Sequence, residues 1–207
     1  MLALSTMAFY SCGDKKVETE VTPTENVEVA KISGTYDVAD ASVVTWNARH
    51  YKDTENAHTG TVAISNGSIV VEEAAIVGGE FNFDMASILE SGEPNDYTVM
   101  LQNHLMDTAF FFVADFASAS FSVSNVTDGI LTGNLELLGL SNEISFPVDA
   151  SISAEAVTAT AEFDINLLDF GLMALVAGDA LPEAEKMESP NPTITFQLDI
   201  SASKAAH

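Results

Sequence analysis

The chain has 207 residues, enough for one domain and a short appendage. Its 31 Asp and Glu against 7 Lys and Arg give a formal net charge of -24, a field that repels phosphate backbones and anionic lipid surfaces and so argues against nucleic acid as a partner. The acidity reads as a solvated surface and identifies no substrate, because net charge speaks to solubility rather than fold.

In chain order, the first feature is the only cysteine, Cys12, which rules out an intramolecular disulfide framework. Met1 to Ser11 is a short apolar run ending in a small residue, and Gly13-Asp14-Lys15-Lys16 then turns abruptly polar. That is the pattern of a bacterial lipoprotein signal peptide. Residues 1–12 are therefore expected to be the signal peptide with Cys12 as the lipidation site, on an exported protein anchored in the cell envelope, facing the periplasm or the cell surface. The alternative for this segment is an N-terminal strand with a buried free cysteine. No stretch elsewhere reaches the ~20 apolar residues of a membrane-spanning helix, so acylation is the membrane attachment expected. Residues 13–30 are acidic and Thr-rich with little periodicity, and read as a flexible tether.

From residue 31 to 204, period-two alternation dominates, the signature of strands with one buried face. Early strand candidates are Val43 to Arg49, Gly60 to Ser65, Ser68 to Glu72, Gly79 to Met85, Ala119 to Ser124 and Gly129 to Leu138. Asn66-Gly67 predicts a two-residue turn between two of them, because both central positions of a type I′ turn need φ > 0. The clearest run is Ile144, Phe146, Val148, Ala150 and Ile152, followed after Ser153 to Ala156 by Val157, Ala159, Ala161, Phe163 and Ile165. The spacer suits a hairpin. Ile194, Phe196, Leu198 and Ile200 close the domain. Two segments break the alternation. In Glu93 to Phe116, Leu101 and Leu105 are spaced as on a helix face; Asn166 to Pro192 is long for a structureless loop and is a candidate flap over one end of the domain. Many short strands with regular turn signals give an all-β sandwich or barrel, and the pattern alone does not choose between them.

Several motifs then occur in order. His58-Thr59-Gly60-Thr61-Val62 is followed by Gly78-Gly79-Glu80-Phe81-Asn82-Phe83-Asp84-Met85, then by His104-Leu105, Phe111-Phe112-Val113 and Phe116-Ala117-Ser118-Ala119-Ser120-Phe121, and finally by Gly133-Asn134-Leu135-Glu136-Leu137-Leu138-Gly139-Leu140, with Trp46 after Asp40-Ala41-Ser42 ahead of them all. From about Gly34 to Ser203 the chain resembles the YceI-like family. The resemblance implies an extended eight-stranded antiparallel, lipocalin-like barrel with a short helix near one end, whose interior holds a long isoprenoid or similar amphiphilic chain. Ala117 stands where the family carries proline, and Leu167-Leu168-Asp169-Phe170-Gly171 where relatives often carry Arg and a Trp-Gly pair. No Lys or Arg lies between Lys52 and Lys186, so the sequence offers no obvious buried partner for a ligand's polar end.

A barrel of about eight strands is either filled by its side chains or able to take one small ligand. Candidate ligand-binding residues are the aromatic side chains at in-register or end positions: Trp46, Phe81, Phe83, Phe110, Phe111, Phe112, Phe116, Phe121, Phe146, Phe163 and Phe170. The expected partner is an apolar or amphiphilic small molecule, isoprenoid, quinone-like or fatty-acyl; a homodimer is left open. The competing reading is a fully packed barrel serving as a structural or protein-interaction module. Neither a G-x-S-x-G elbow, an H-E-x-x-H helix nor a phosphate loop is present, so no catalytic residue, cofactor or metal site is assigned. His58 and His104 read as hydrogen-bonding residues at turns and strand ends.

Overall fold

The computed structural model describes residues 32–39, 42–51, 57–172, 180–182 and 189–206. The expectations for Cys12, the signal peptide and the tether lie outside these residues, as do residues 173–179 and 183–188 of the candidate flap.

Among the described residues ten strands form one antiparallel sheet: β1 (Gly34–Val38), β2 (Val43–Arg49), β3 (Ala57–Glu72), β4 (Ala75–Glu90), β5 (Ser118–Thr127), β6 (Ile130–Leu137), β7 (Leu140–Pro147), β8 (Asp149–Ile152), β9 (Ala156–Asn166) and β10 (Thr193–Lys204). They occupy eight positions around a closed barrel. β1 and β2 both sit between β3 and β10, one above the other. β7 and β8 are likewise two halves of one strand: β7 ladders with β6, and β8 with β9, which closes the sheet. The bend falls after Pro147, which has no N–H to offer a ladder, and the N–H of Val148 turns to the carbonyl of Gly129. The side-chain alternation read from Ile144 to Ile152 survives this bend, because the facing pattern belongs to the strand and not to its partner.

Acids and their partners point outward. Thr195 donates to Asp164, Gln197 to Glu162 and Ser122 to Glu80, each at 2.7 Å. The apolar face is thus inside and the polar face outside, the reverse of an outer-membrane barrel, whose lipid-facing band is apolar. Among the described residues no helix is long and apolar enough to cross a membrane.

The Asn66-Gly67 turn does not form; both residues lie within β3, next to a register shift. Gly67 is needed there for closeness: a Cβ would meet the ring of Phe81 and a methyl of Val38 at 3.0 Å. The hairpin instead turns at Glu73-Ala74, with φ of 50° and 62°, residues that carry no turn signature of their own. The expected hairpin at Ser153 to Ala156 is present, closed by the Ser153 N–H on the Ala156 carbonyl at 2.9 Å.

One end of the barrel is sealed. Tyr36 is fully buried there and donates to the Ser153 carbonyl at 2.9 Å, beside Val71, Val157 and Ala202, none more than 1% exposed. At the other end lies α1 (Asp96–Met106). Its start is fixed by a capping box: Asn95 accepts from the N–H groups of Tyr97 and Thr98 while Thr98 accepts from the Asn95 N–H.

Candidate functional site: an apolar cavity opening beneath the helix

The barrel is hollow. A cavity of about 460 Å³ occupies the half nearer α1, with an almost wholly apolar wall, within the range usual for small-molecule sites. Phe83, Phe163, Phe196 and Leu198 face inward yet stay only half-buried, because they line this space instead of filling it. Beyond it lies a second void of about 50 Å³.

Seven of the aromatic residues singled out from sequence line the large cavity: Trp46, Phe83, Phe110, Phe111, Phe121, Phe146 and Phe163. Phe81 borders only the smaller void. Phe112, Phe116 and Phe170 border neither. Phe112 has a φ of 40° in the turns after α1, and its ring meets that of Phe116 edge-on at 6.1 Å; Phe116 in turn packs over Gly139. Phe170 belongs to a 3₁₀ turn, Leu167–Phe170, which buries it at 2% exposure in the core. All three lie outside the strands, where alternation does not fix which way a side chain points.

Phe196 of β10 was not among the predicted residues and yet faces the cavity, as its in-register alternation with Ile194 and Leu198 implies. It completes a row of rings on four strands: Phe121 to Phe146 at 6.0 Å, Phe146 to Phe163 at 3.8 Å, and Phe163 to Phe196 at 6.0 Å. Leu101 and Leu105 present the predicted helix stripe to the same space.

Trp46 can lie flat against the wall because its partner across the ladder is Gly60. A Cβ at Gly60 would overlap the indole, so glycine is required there by close approach. Gly133 does the same for Phe121.

The exposed side chains bordering the cavity, Arg49, Tyr97 and His104, all lie at the helix end, so the mouth is there. With His50 and His58 they gather cationic or protonatable groups at the opening, in a chain that is otherwise strongly acidic. Sequence order hides this: Arg49 precedes the long stretch without Lys or Arg, and His104 is far along the chain from His50 and His58. His58 Nδ1 lies 2.7 Å from Glu90 Oε1; the carboxylate oxygen accepts, so the ring nitrogen donates. Tyr97 stacks on His58 with ring centroids 6.1 Å apart. Among the described residues no three His, Cys, Asp or Glu side chains converge as a metal site.

Such a space can hold an aliphatic or polyene chain by exclusion from water, with hydrogen-bonding groups restricted to the mouth. Among the described residues that line it there is no Ser, Thr, Cys or Lys to serve as a nucleophile.

Residues 35–202 match the YceI-like domain model. No curated protein matches the chain. Among solved structures, a polyisoprenoid-binding domain from Saccharophagus degradans, implicated in plant cell wall breakdown, superposes with a TM-score of 0.60 at 15% identity, over 84% of this chain and 99% of the other. Burkholderia cenocepacia BcnA gives 0.59 at 16% identity, over 80% and 99%. The Campylobacter jejuni YCEI protein gives 0.52 at 15%, over 69% and 84%. At these identities the likeness is one of fold.

Proposed function

The chain belongs to the YceI-like domain family, and from that premise we propose that its barrel binds and carries one apolar or amphiphilic chain, isoprenoid, quinone-like or fatty-acyl, inserted through the mouth under α1. The observation that carries this reading is the 460 Å³ cavity walled by inward-facing aromatic and aliphatic side chains. The polyisoprenoid-binding domain from Saccharophagus degradans, of similar fold, supports it.

Magnitudes permit such binding without a buried ion pair. Burying about ten methylene groups at ~0.8 kcal/mol each stabilises the complex by about 8 kcal/mol, against an association cost of about 4 kcal/mol or more. The polar end of the ligand rests at the mouth, near Arg49 and the histidines.

We place this carrier outside the cytoplasm, tethered through an acylated Cys12, on the strength of the apolar run and small residue before that cysteine. A tether of about eighteen residues would let the barrel stand away from the bilayer and face ligand or acceptor in solution.

Native mass spectrometry and organic extraction of the full chain purified from its own host test the carrier reading. A reproducible bound amphiphile is the expected result, and a barrel that stays empty and ignores added lipids refutes it. For the anchor, Cys12→Ser should move the protein out of the membrane fraction; unchanged fractionation excludes acylation.

A further inference from the structure

Among the described residues four side chains border both voids: Phe83 from β4, Phe121 from β5, Phe146 from β7 and Leu198 from β10. They form a partition across the barrel. Phe121 is held between the backbone at Gly133, where a methyl would overlap its ring, and the ring of Phe146. Phe146 is itself stacked on Phe163, with planes 8° apart. Two of the four are thus wedged by neighbours or by the sheet, while Phe83 stays half-buried opposite Ile64 across a bulged part of the β3–β4 ladder. Beneath the partition is the void of about 50 Å³, and beneath that the closed end around Tyr36.

The depth above the partition follows from strand geometry. Val44 is paired with Leu198 at the partition, and the chain runs from there along β2 and one residue beyond it to His50 at the mouth, six residue steps. At ~3.3 Å per residue and a strand tilt of about 40°, six steps give a depth of about 15 Å. An extended alkyl chain advances about 1.25 Å per carbon, from bonds of ~1.52 Å at angles of about 111°. The space above the partition therefore takes about twelve carbons.

We infer that the Phe83–Phe121–Phe146–Leu198 partition is the end stop for the ligand's apolar chain, so that this barrel selects single-chain amphiphiles of about a dozen carbons in extended length and holds longer tails with their surplus outside. The inference rests on the carrier reading and adds a chain-length class to it. Because the partition is made of side chains and not backbone, length selection resides in four residues and can be moved by substitution.

The test measures the affinity of the delipidated full chain for straight-chain 1-alkanols from about 8 to about 20 carbons, by displacement of Nile red. Affinity should rise about fourfold per added carbon while each methylene is buried, then level off near twelve. In Phe146→Ala, which joins the two voids, the break should move to longer chains. Phe146→Leu serves if the alanine variant does not fold, with a smaller displacement in the same direction. As a measurement on the unaltered protein, a dodecanol analogue carrying a terminal diazirine should label Phe83, Phe121, Phe146 or Leu198. Labelling of Ile69 or Ile200 below the partition, an affinity that climbs without a break, or a break unmoved in a folded variant each overturns the end stop. If no alkanol of any length binds, the carrier reading itself fails.

Discussion

Phe146 and Phe163 lie face to face, with ring centroids 3.8 Å apart and planes 8° from parallel. Phe146 comes from the half-strand that ladders with β6, and Phe163 from the strand that ladders with β8 and β10. The stacked rings therefore bridge the point at which the bent strand changes partners, where the backbone contributes least to closure. Truncating Phe146 to Ala is expected to destabilise the protein by about 3–5 kcal/mol, measured by chemical denaturation. Truncating Phe83, whose half-buried ring borders open space and whose loss enlarges a void already present, should cost less. Equal costs for the two would show that the stack has no special part in closing the barrel.

Gly133 offers a complementary test, in which volume is added instead of removed. Its Cβ position is already taken by the Phe121 ring and the Ser122 carbonyl. Gly133→Ala must therefore push the ring toward the cavity or spread the β5–β6 ladder, with an overpacking cost of about 1–3 kcal/mol. Thermal denaturation gives the cost, and binding of an apolar fluorophore reports the narrowed cavity. A substitution neutral in both would mean that the ring has room to retreat.

How much of this arrangement is legible in the sequence depends on whether the responsible signal is local. The strand faces carrying Phe121, Phe146 and Phe163 are legible because alternation along one strand fixes which side chains point inward, and β2 is found with both its ends. The Asn66-Gly67 turn fails because a local φ preference competes with a sixteen-residue strand, β3, whose glycine makes space for Phe81. The real turn at Glu73-Ala74 is imposed by the length of the flanking strands. The mouth is illegible for a different reason: His50 and His58 meet across the β2–β3 pairing, and α1 brings His104 to the same opening. Whether the lumen is empty is a matter of summed side-chain volume against barrel radius, which no periodicity reports.

Asp107, which caps the C-terminal end of α1, should titrate below the ordinary carboxylate range. Its carboxylate accepts the Thr108 backbone N–H and, to a smaller extent, the Thr108 hydroxyl, with a weaker contribution from nearby His104. Both hydrogen bonds favour the charged form. Since the folded value is the lower one, the associated stability is present above the unfolded carboxylate pKa and is lost as pH falls through the folded value. NMR titration of the Asp107 carboxyl carbon checks the direction. Thr108→Val removes the hydroxyl but keeps the backbone donor, so it should raise the midpoint only part of the way; a midpoint already at the ordinary value in the unaltered protein contradicts the assignment.

The pair at the rim, His58 and Glu90, sets a last expectation. The two side chains are 17% and 13% exposed, and Nδ1 is 2.7 Å from Oε1, while Glu90 Oε2 is buried with no hydrogen-bond partner among the described residues. Gly60 stands opposite both Glu90 on β4 and Trp46 on β2, so the pair is built into the rung that seats the indole. Losing the acceptor leaves the imidazole donor poorly solvated, and the cost then exceeds that of the hydrogen bond alone. Glu90→Leu should destabilise by about 1–3 kcal/mol, whereas Glu90→Gln, whose side-chain oxygen can still accept, should lose only about 0.5–1.5 kcal/mol. The ring itself gives a second readout: nitrogen NMR of His58 should find the proton on Nδ1 in the unaltered protein and in Glu90→Gln, but shared between the two nitrogens in Glu90→Leu. If the tautomer is the same in all three, the carboxylate does not orient the ring, and the rim is held by the stacking of Tyr97 on His58 instead.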